Sequence, residues 1–219
     1  MSGEDRHSLA EDPELIKDPD ALARREVANG LRQVDAVNEL IELSLDPQRP
    51  FKFRPSQLLT LNRIALDGVN RYAGNYRRGP VTISKSEHQP PEAFLVPGLV
   101  EELADYVNEH WGDKSPLHLS AYVLWRLNWI HPFMDGNGRT ARAASYLVLC
   151  ARLGIRLPGS NTIPEQISKD KTPYYKALEA ADQRCKAGAI DVSQLESLLE
   201  ATLANQLLTV HSAARNPER

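Results

Sequence analysis

Apolar residues recur every three or four positions along most of this chain, which places them on one face of an α-helix. Between these stretches lie prolines, glycines and polar clusters, which interrupt helices. The pattern therefore predicts a bundle of helices. We expect them over residues 20–41, 56–74 with Ser56 as N-cap, 99–111, 118–130, 138–150 and 170–181, with a last helix from Asp191 or Ser193 to Leu208.

Residues 77–97 depart from the helical pattern. Val81 to Ser84 has the composition of a strand, Ser86 to Pro91 is a turn signal, and Phe94 to Val96 can return as a second strand. Two short strands are only marginally stable alone, so this β-hairpin should pack on the helices. The predicted fold class is all-α, a helical bundle with one short β-hairpin.

The length of 219 residues suits one domain with terminal extensions. We expect a flexible tail over 1–19, a single helical domain over 20–210 and a second tail over 211–219. A net charge of −3 gives no basic field for nucleic acid. No apolar run has the length of a membrane span, and the N-terminus is too acidic for a secretory signal. We therefore expect a cytoplasmic protein without nucleic-acid or membrane partners.

The chemistry concentrates in one segment, His131 to Arg142, with the sequence HPFMDGNGRTAR. His131 can take a proton near neutral pH, and Pro132 favours a turn over a continuing helix. Asp135 is an oxygen ligand of the kind that Mg²⁺ uses beside phosphates. The Gly-Asn-Gly that follows can turn its N–H groups inward to bind an anion.

A helix beginning near Gly138 would direct its partly positive N-terminus at the same place. Arg139 and Arg142 lie three positions apart and share a face of that helix. The segment thus predicts a site for a nucleotide's phosphates beside a proton acceptor. The structural alternative, a helix–turn–helix corner with a glycine-rich cap, explains fewer of these residues.

The segment resembles a known signature. His-Pro-Phe-x-Asp-Gly-Asn-Gly-Arg-x-x-Arg is typical of Fic domains, and residues 131–142 match it at every specified position. The resemblance covers about residues 51–199, specifically in the motif and diffusely elsewhere. It implies a Fic fold and an enzyme that transfers AMP from ATP to a Ser, Thr or Tyr hydroxyl of a target protein, or of the chain itself.

The resemblance also implies roles for individual residues. His131 would be the general base, and Asp135 would hold Mg²⁺. Tyr174 or Tyr175 would contact the adenine or the ribose, unless their helix is simply amphipathic. The remaining motif roles would be an anion hole from Gly136, Asn137 and Gly138, and binding of the β- and γ-phosphates by Arg139 and Arg142.

In Fic proteins a hairpin called the flap lines up the target segment by strand addition. The predicted hairpin resembles it, with Ser84, Lys85, Ser86, Glu87 and His88 as candidate docking residues. A surface connection without such a role is the alternative.

Many Fic proteins are restrained by a helix that carries Ser/Thr-x-x-x-Glu-Gly/Asn, and no intact copy occurs here. Residues Asn29 to Gln33 lie in about the place of such a copy, and Glu26 is a second candidate. A helix that only packs is the alternative. An inhibitory partner protein and a homodimer also stay open.

Two other functions stay open. The same fold could transfer another phosphate-linked group, such as phosphate, UMP or phosphocholine. The chain could also be a non-catalytic adaptor that binds a nucleotide. The complete Gly136-Asn-Gly138 and both arginines favour the ordinary ATP orientation, and a pure scaffold needs neither His131 nor Asp135.

Overall fold

The structure is a computed structural model that describes residues 8–9 and 15–215. The predicted helical class is confirmed, because helices dominate these residues. In chain order they are α1 (Pro19–Ser44), α2 (Pro55–Leu66), α3 (Val96–Glu109), α4 (Pro116–Ile130), α5 (Asn137–Leu153), α6 (Ile163–Lys169), α7 (Thr172–Lys186) and α8 (Ser193–Arg215).

The helix ends follow local chemistry, with some corrections to the prediction. Asp18 caps α1 by accepting the N–H of Ala21 at 2.8 Å. Ser56 is not a cap, because α2 begins at Pro55, whose fixed φ suits the first helical position. The same helix ends at Leu66 instead of continuing to Gly74.

Two further differences lie near the C-terminus. The proline-containing connection after α5 holds α6, a two-turn helix that its short apolar pattern did not reveal. The last helix continues to Arg215, so residues 211–215 are helical instead of forming a tail. The other residues of the predicted tails, 1–7, 10–14 and 216–219, lie outside the described part of the chain.

The core is built around α4 and α5, which pack against each other along their length. Small residues allow the close approach. Ser120 donates to the Ser145 carbonyl at 2.9 Å, and Ser145 donates back to the Ser120 carbonyl at 2.9 Å. Helices α1 and α2 cover α5, and α3, α7 and α8 cover α4. The loop between α4 and α5 is therefore held at both ends by the best-packed helices.

The predicted β-hairpin is wrong in its second half. Strand β2 (Thr82–Ile83) forms, but residues 93–95 make a 3₁₀ turn that leads into α3. Proline explains this, since Pro97 occupies the first turn of α3 and favours a helix start there. Strand β2 pairs instead with β1 (Ser8–Leu9), in antiparallel orientation.

Within the described residues, no helix is long and apolar enough to cross a membrane.

Candidate active site

The loop between α4 and α5 begins with an unfavourable backbone. His131 ends α4 with φ 51° and ψ 58°, in the left-handed region that costs energy for any residue other than glycine. Buried Arg77 holds it there. Its Nε donates to the His131 carbonyl at 2.8 Å, and its backbone N–H donates to the Pro132 carbonyl at 2.8 Å.

The middle of the loop is closed by two buried amides. The Asn137 side chain accepts from the Phe133 N–H and donates to the Phe133 carbonyl, both at 2.9 Å. Asn62 on α2 donates to the Asp135 carbonyl at 3.0 Å. The Asn137 amide thus supports the loop, while the backbone of the same residue starts α5.

Gly136 is the N-cap of α5 and has φ 75°. A Cβ at this position would lie 3.0 Å from Asn62 Nδ2 and 3.2 Å from Leu66 Cδ1. Glycine is therefore needed both for the backbone angle and for the close approach to α2. The result is an α5 N-terminus that opens into a pocket, where its N–H groups and partial positive charge favour an anion.

The pocket has a volume of about 490 Å³. It brings together most of the residues that the sequence singled out. Of the flap candidates, Ser86 and His88 line it, whereas Ser84, Lys85 and Glu87 do not. The other predicted residues that line it are His131, Asp135, Gly136, Asn137, Gly138, Arg139, Arg142, Tyr174 and Tyr175.

His131 is nearly fully buried in the pocket wall. Burial lowers its pKa to about 4, and the nearby charge of Arg77 acts in the same direction. Its Nδ1 lies 3.2 Å from the Asn128 carbonyl, which can only accept, so the ring's proton belongs on Nδ1. The neutral imidazole then has Nε2 as its basic nitrogen, as a general base requires.

Charged side chains surround the α5 N-terminus. Arg139 donates to Asp135 Oδ2 at 3.1 Å and to Glu26 Oε1 at 2.9 Å. Arg142 lines the same pocket one helical turn further on. A carboxylate and two arginines thus meet the helix N-terminus, which is a suitable arrangement for a metal-bound polyphosphate.

One face of α7 forms another wall of the pocket. Positions 174, 175, 178 and 182 of the helix line it, a span of about 12 Å, together with Lys171 just before the helix. Tyr174 is buried, and its hydroxyl accepts from Asn128 Nδ2 at 2.7 Å. Asp182 accepts from Trp125 Nε1 at 2.8 Å. The α7 wall therefore adds aromatic and acidic groups to the pocket that holds the α5 N-terminus.

His88, in the segment after β2, completes this wall of the pocket. Its Nε2 donates to the Trp129 carbonyl at 2.7 Å, and its Nδ1 lies 4.0 Å from Asp182 Oδ2. These contacts join the segment after β2 to α4 and α7, so the segment borders the pocket directly.

The structure also tests the two candidate inhibitory positions in α1. Asn29 donates to the carbonyls of Ala65 and Asp67, and Gln33 donates to the Leu61 carbonyl at 3.0 Å. Both amides pack α1 against α2, and neither lines the pocket. Glu26 is the residue of α1 that lines it.

Sequence reasoning missed several residues of this site, among them Asn62, Arg77 and Asp182. An amide among the apolar positions Leu58, Leu61 and Ala65 was a signal for Asn62. Neither Arg77 nor Asp182 stands in a local pattern that distinguishes it from an ordinary surface charge.

Comparison with known proteins agrees with this geometry. A model of the Fic/DOC family matches residues 52–149. A Fido domain-containing protein from Dictyostelium discoideum is 34% identical over 136 residues, which are 61% of this chain and 88% of that protein. The chain belongs to the Fic/DOC family. The Fic fold predicted from the sequence is thereby confirmed.

Longer relatives align with this chain over a smaller share of their own length. The "Protein adenylyltransferase Fic" of Drosophila persimilis is 28% identical over 161 residues, 69% of this chain. This chain spans only 30% of that relative.

Solved structures share the Fic fold. A Fic family protein from Desulfovibrio desulfuricans has a TM-score of 0.65 at 22% identity and covers 91% of this chain and 56% of its own. The BepC protein of Bartonella tribocorum, crystallised with AMPPNP, has a TM-score of 0.58 at 19% identity and covers 85% of this chain and 88% of its own.

Proposed function

We propose that this chain is a protein AMP transferase, which moves AMP from ATP to a hydroxyl side chain of a target protein. The observation that carries the proposal is that a buried neutral imidazole, His131, lines one pocket together with Asp135, Arg139, Arg142 and the N-terminus of α5. The Drosophila relatives named protein adenylyltransferase and the AMPPNP bound to BepC support it.

The reaction needs a base that takes up a proton and positive groups that stabilise the phosphates, and this chain has both. Nε2 of His131 takes the proton from the target hydroxyl, whose oxygen attacks the α-phosphorus of ATP. The bond from the α-phosphorus to pyrophosphate breaks, and pyrophosphate leaves. The N–H groups of Gly136 to Gly138, with Arg139 and Arg142, stabilise the charge on the phosphates.

Asp135 is the residue that would hold Mg²⁺. Its carboxylate lines the pocket beside the α5 N-terminus, and Mg²⁺ commonly binds one or two carboxylates together with substrate phosphates. When bound, the ion would neutralise charge on the phosphate oxygens. Arg139 already orients this carboxylate through its 3.1 Å contact.

The lining of the pocket also favours ATP over a donor that lacks a nucleoside. Tyr174, Tyr175 and Asp182 of α7 line the same pocket and offer aromatic and acceptor groups to a nucleoside. The partners that follow from the proposal are ATP and a protein with an accessible Ser, Thr or Tyr.

A labelling experiment tests the proposal. The chain is incubated with Mg²⁺, a lysate and ATP labelled at either the α- or the γ-phosphate, beside His131→Ala. Protein labelled from the α position only, and about a hundredfold less in the variant, is expected because a general base contributes that much or more. Label from the γ position would indicate phosphate transfer. Tight ATP binding without any label would indicate an adaptor.

A further inference from the structure

A second groove, with a volume of about 540 Å³, lies next to the active-site pocket. Two residues that line this groove touch residues that line the pocket. Trp125 Nε1 donates to Asp182, and the guanidinium of Arg126 lies 4.3 Å from the ring centre of Trp129. The two cavities are therefore neighbours across side chains of α4 and α7.

Three aromatic side chains form an apolar part of the groove lining. The rings of Tyr106 and Tyr122 stack with 3.8 Å between their centres, and Tyr122 meets Trp125 edge-on at 5.9 Å. Hydrogen bonds hold two of these side chains, since the Tyr106 hydroxyl lies 2.9 Å from His118 Nε2 and Trp125 is bound to Asp182. The aromatic lining is thus fixed within the fold before any ligand binds, and aromatic faces attract cations.

Three carboxylates of α3 line the same groove, those of Glu102, Asp105 and Glu109, and all three residues are exposed. Their spacing of three and four positions places them on one face of the helix. Like charges at this spacing destabilise a helix, and negative charges near its C-terminus oppose the helix dipole. The last turn of α3 has no basic residue to offset them. The arrangement therefore costs the helix stability and is favourable only towards a positively charged partner.

Among the described residues that line the groove, Arg126 is the only cation, and it balances the carboxylates only in part. Its Nη2 lies 3.8 Å from Glu102 Oε2, which is a long contact. Asp105 and Glu109 lie about one and two turns further along α3, so the groove stays negative. Ile190, with 53% of its surface exposed, adds an apolar face on which the methylene stem of a long basic side chain can pack.

We propose that this groove binds an arginine side chain of the target protein whose hydroxyl is modified in the neighbouring pocket. The inference rests on the proposed function, because it takes the occupant of the groove to be the protein that receives AMP. A guanidinium fits this lining, since it stacks on aromatic rings and forms paired hydrogen bonds with carboxylates. An extended segment of six residues spans about 20 Å, so we expect the arginine within about six residues of the modified hydroxyl.

Binding to the groove is tested first, without catalysis. The full chain, labelled with ¹⁵N, is titrated with N-acetyl-arginine amide and with N-acetyl-citrulline amide, which has nearly the same shape but no charge. The indole N–H signal of Trp125 is expected to shift with the arginine compound only. The double variant D105N/E109Q should weaken this binding about tenfold, as expected for the loss of two partly exposed ion pairs.

The matched control is E39Q/E101Q, which neutralises two exposed acids that do not line the groove. It should bind the arginine compound as the wild type does. Misfolding is excluded by the melting temperature, because D105N/E109Q relieves a like-charge pair and should melt at or above the temperature of the wild type.

The occupant is tested with the lysate and α-labelled ATP of the labelling experiment. Mass spectrometry of the modified peptides gives the sequence around each AMP group. We expect arginine within about six residues of the modified hydroxyl, and a labelling rate about tenfold lower in D105N/E109Q than in E39Q/E101Q.

The outcomes separate this inference from the proposed function. Equal binding of the arginine and citrulline compounds, or equal binding and labelling by the two double variants, would overturn the inference. Label that still depends on His131 would then leave the proposed function intact. Arginine binding in the groove without AMP on any protein would overturn the proposed function, and with it the assignment of the occupant as the target.

Discussion

Arg77 illustrates how a single residue outside the motif can set the geometry of the base. Besides the His131 carbonyl, its guanidinium binds the carbonyls of Gly79, at 3.0 Å, and Pro91. It thereby joins the end of α4 to the segment on either side of β2. Burial lowers the pKa of this guanidinium. A forked, planar donor is needed to reach several carbonyls at once.

We therefore predict that Arg77→Lys lowers kcat about tenfold or more with a smaller effect on KM for ATP, because His131 loses its fixed position. Steady-state kinetics over a range of ATP concentrations measure both constants. Arg78→Lys, a change of the exposed neighbour, is the matched control. If both variants lose the same activity, Arg77 does not position the base.

The buried imidazole of His131 also makes stability depend on pH. Its pKa is lowered to about 4 in the folded chain, against 6.5 for an exposed histidine. Below pH 6.5 the unfolded chain takes up a proton that the native chain refuses, so this group's contribution to stability is lost as pH falls towards 4. Between pH 6.5 and 5 the loss is roughly 2 kcal/mol.

His131→Asn tests this dependence, because asparagine tolerates the left-handed backbone and does not titrate. The free energy of unfolding, measured by denaturant titration at pH 6.5 and pH 5, should fall by roughly 2 kcal/mol more in the wild type than in the variant. Parallel decreases in the two proteins would show that His131 is protonated at an ordinary pH when folded.

Separation along the chain explains which site residues the sequence could reveal. The motif residues 131–142 are contiguous, so their chemistry was visible as one pattern. Arg77 meets the His131 carbonyl across 54 positions, and Asp182 meets Trp125 across 57. These groups reach the pocket only because α4, α7 and the segment around β2 pack together. That packing cannot be deduced from the pattern of a single sequence.

At the scale of elements, α1 contributes one side chain to the lining of the pocket. Glu26 pairs with Arg139, which also pairs with Asp135. Both partners of the Glu26 contact are partly exposed, at 29% for Arg139 and 42% for Glu26. Solvent therefore weakens the pair, and an exposed ion pair commonly contributes under about 1 kcal/mol.

We predict that Glu26→Gln raises the turnover about threefold, since an Arg139 with one fewer carboxylate partner binds the phosphates of ATP more readily. Initial rates at subsaturating ATP measure the effect. Glu39→Gln, on the exposed side of the same helix, should leave the rate unchanged. A rise of several hundredfold in Glu26→Gln would instead make α1 a complete inhibitory element.

The two strands show where element prediction failed. Val81 to Ser84 had a real strand signal, and β2 forms within it. Its partner was sought in the nearest apolar segment, Phe94 to Val96, where Pro97 instead begins α3. The observed partner is Ser8–Leu9, two residues whose local sequence carries no strand pattern. A strand of only two residues depends on the strand with which it pairs. Here that partner lies far away in the sequence.

At the scale of the whole molecule, the groups that perform chemistry are separated from those that hold the fold. The α4–α5 interface buries Ser120, Ser145 and Leu147, whereas Asp135 lies in the loop between these helices with 41% of its side chain exposed. Asp135 contributes contacts to Arg139 and to the Gly136 N–H, but no apolar burial. Its replacement should therefore affect the reaction more than the fold.

We predict that Asp135→Ala lowers Mg²⁺-dependent turnover about a hundredfold. Its melting temperature should change by about 2 °C or less, because losing partly exposed polar contacts costs little. Leu147→Ala is the opposite case, since a core cavity costs about 2–5 kcal/mol. That variant should melt several degrees lower yet retain turnover well below its melting temperature. If Asp135→Ala lost stability and activity in the same proportion as Leu147→Ala, the carboxylate would be a structural group, and the proposed metal site would have to be abandoned.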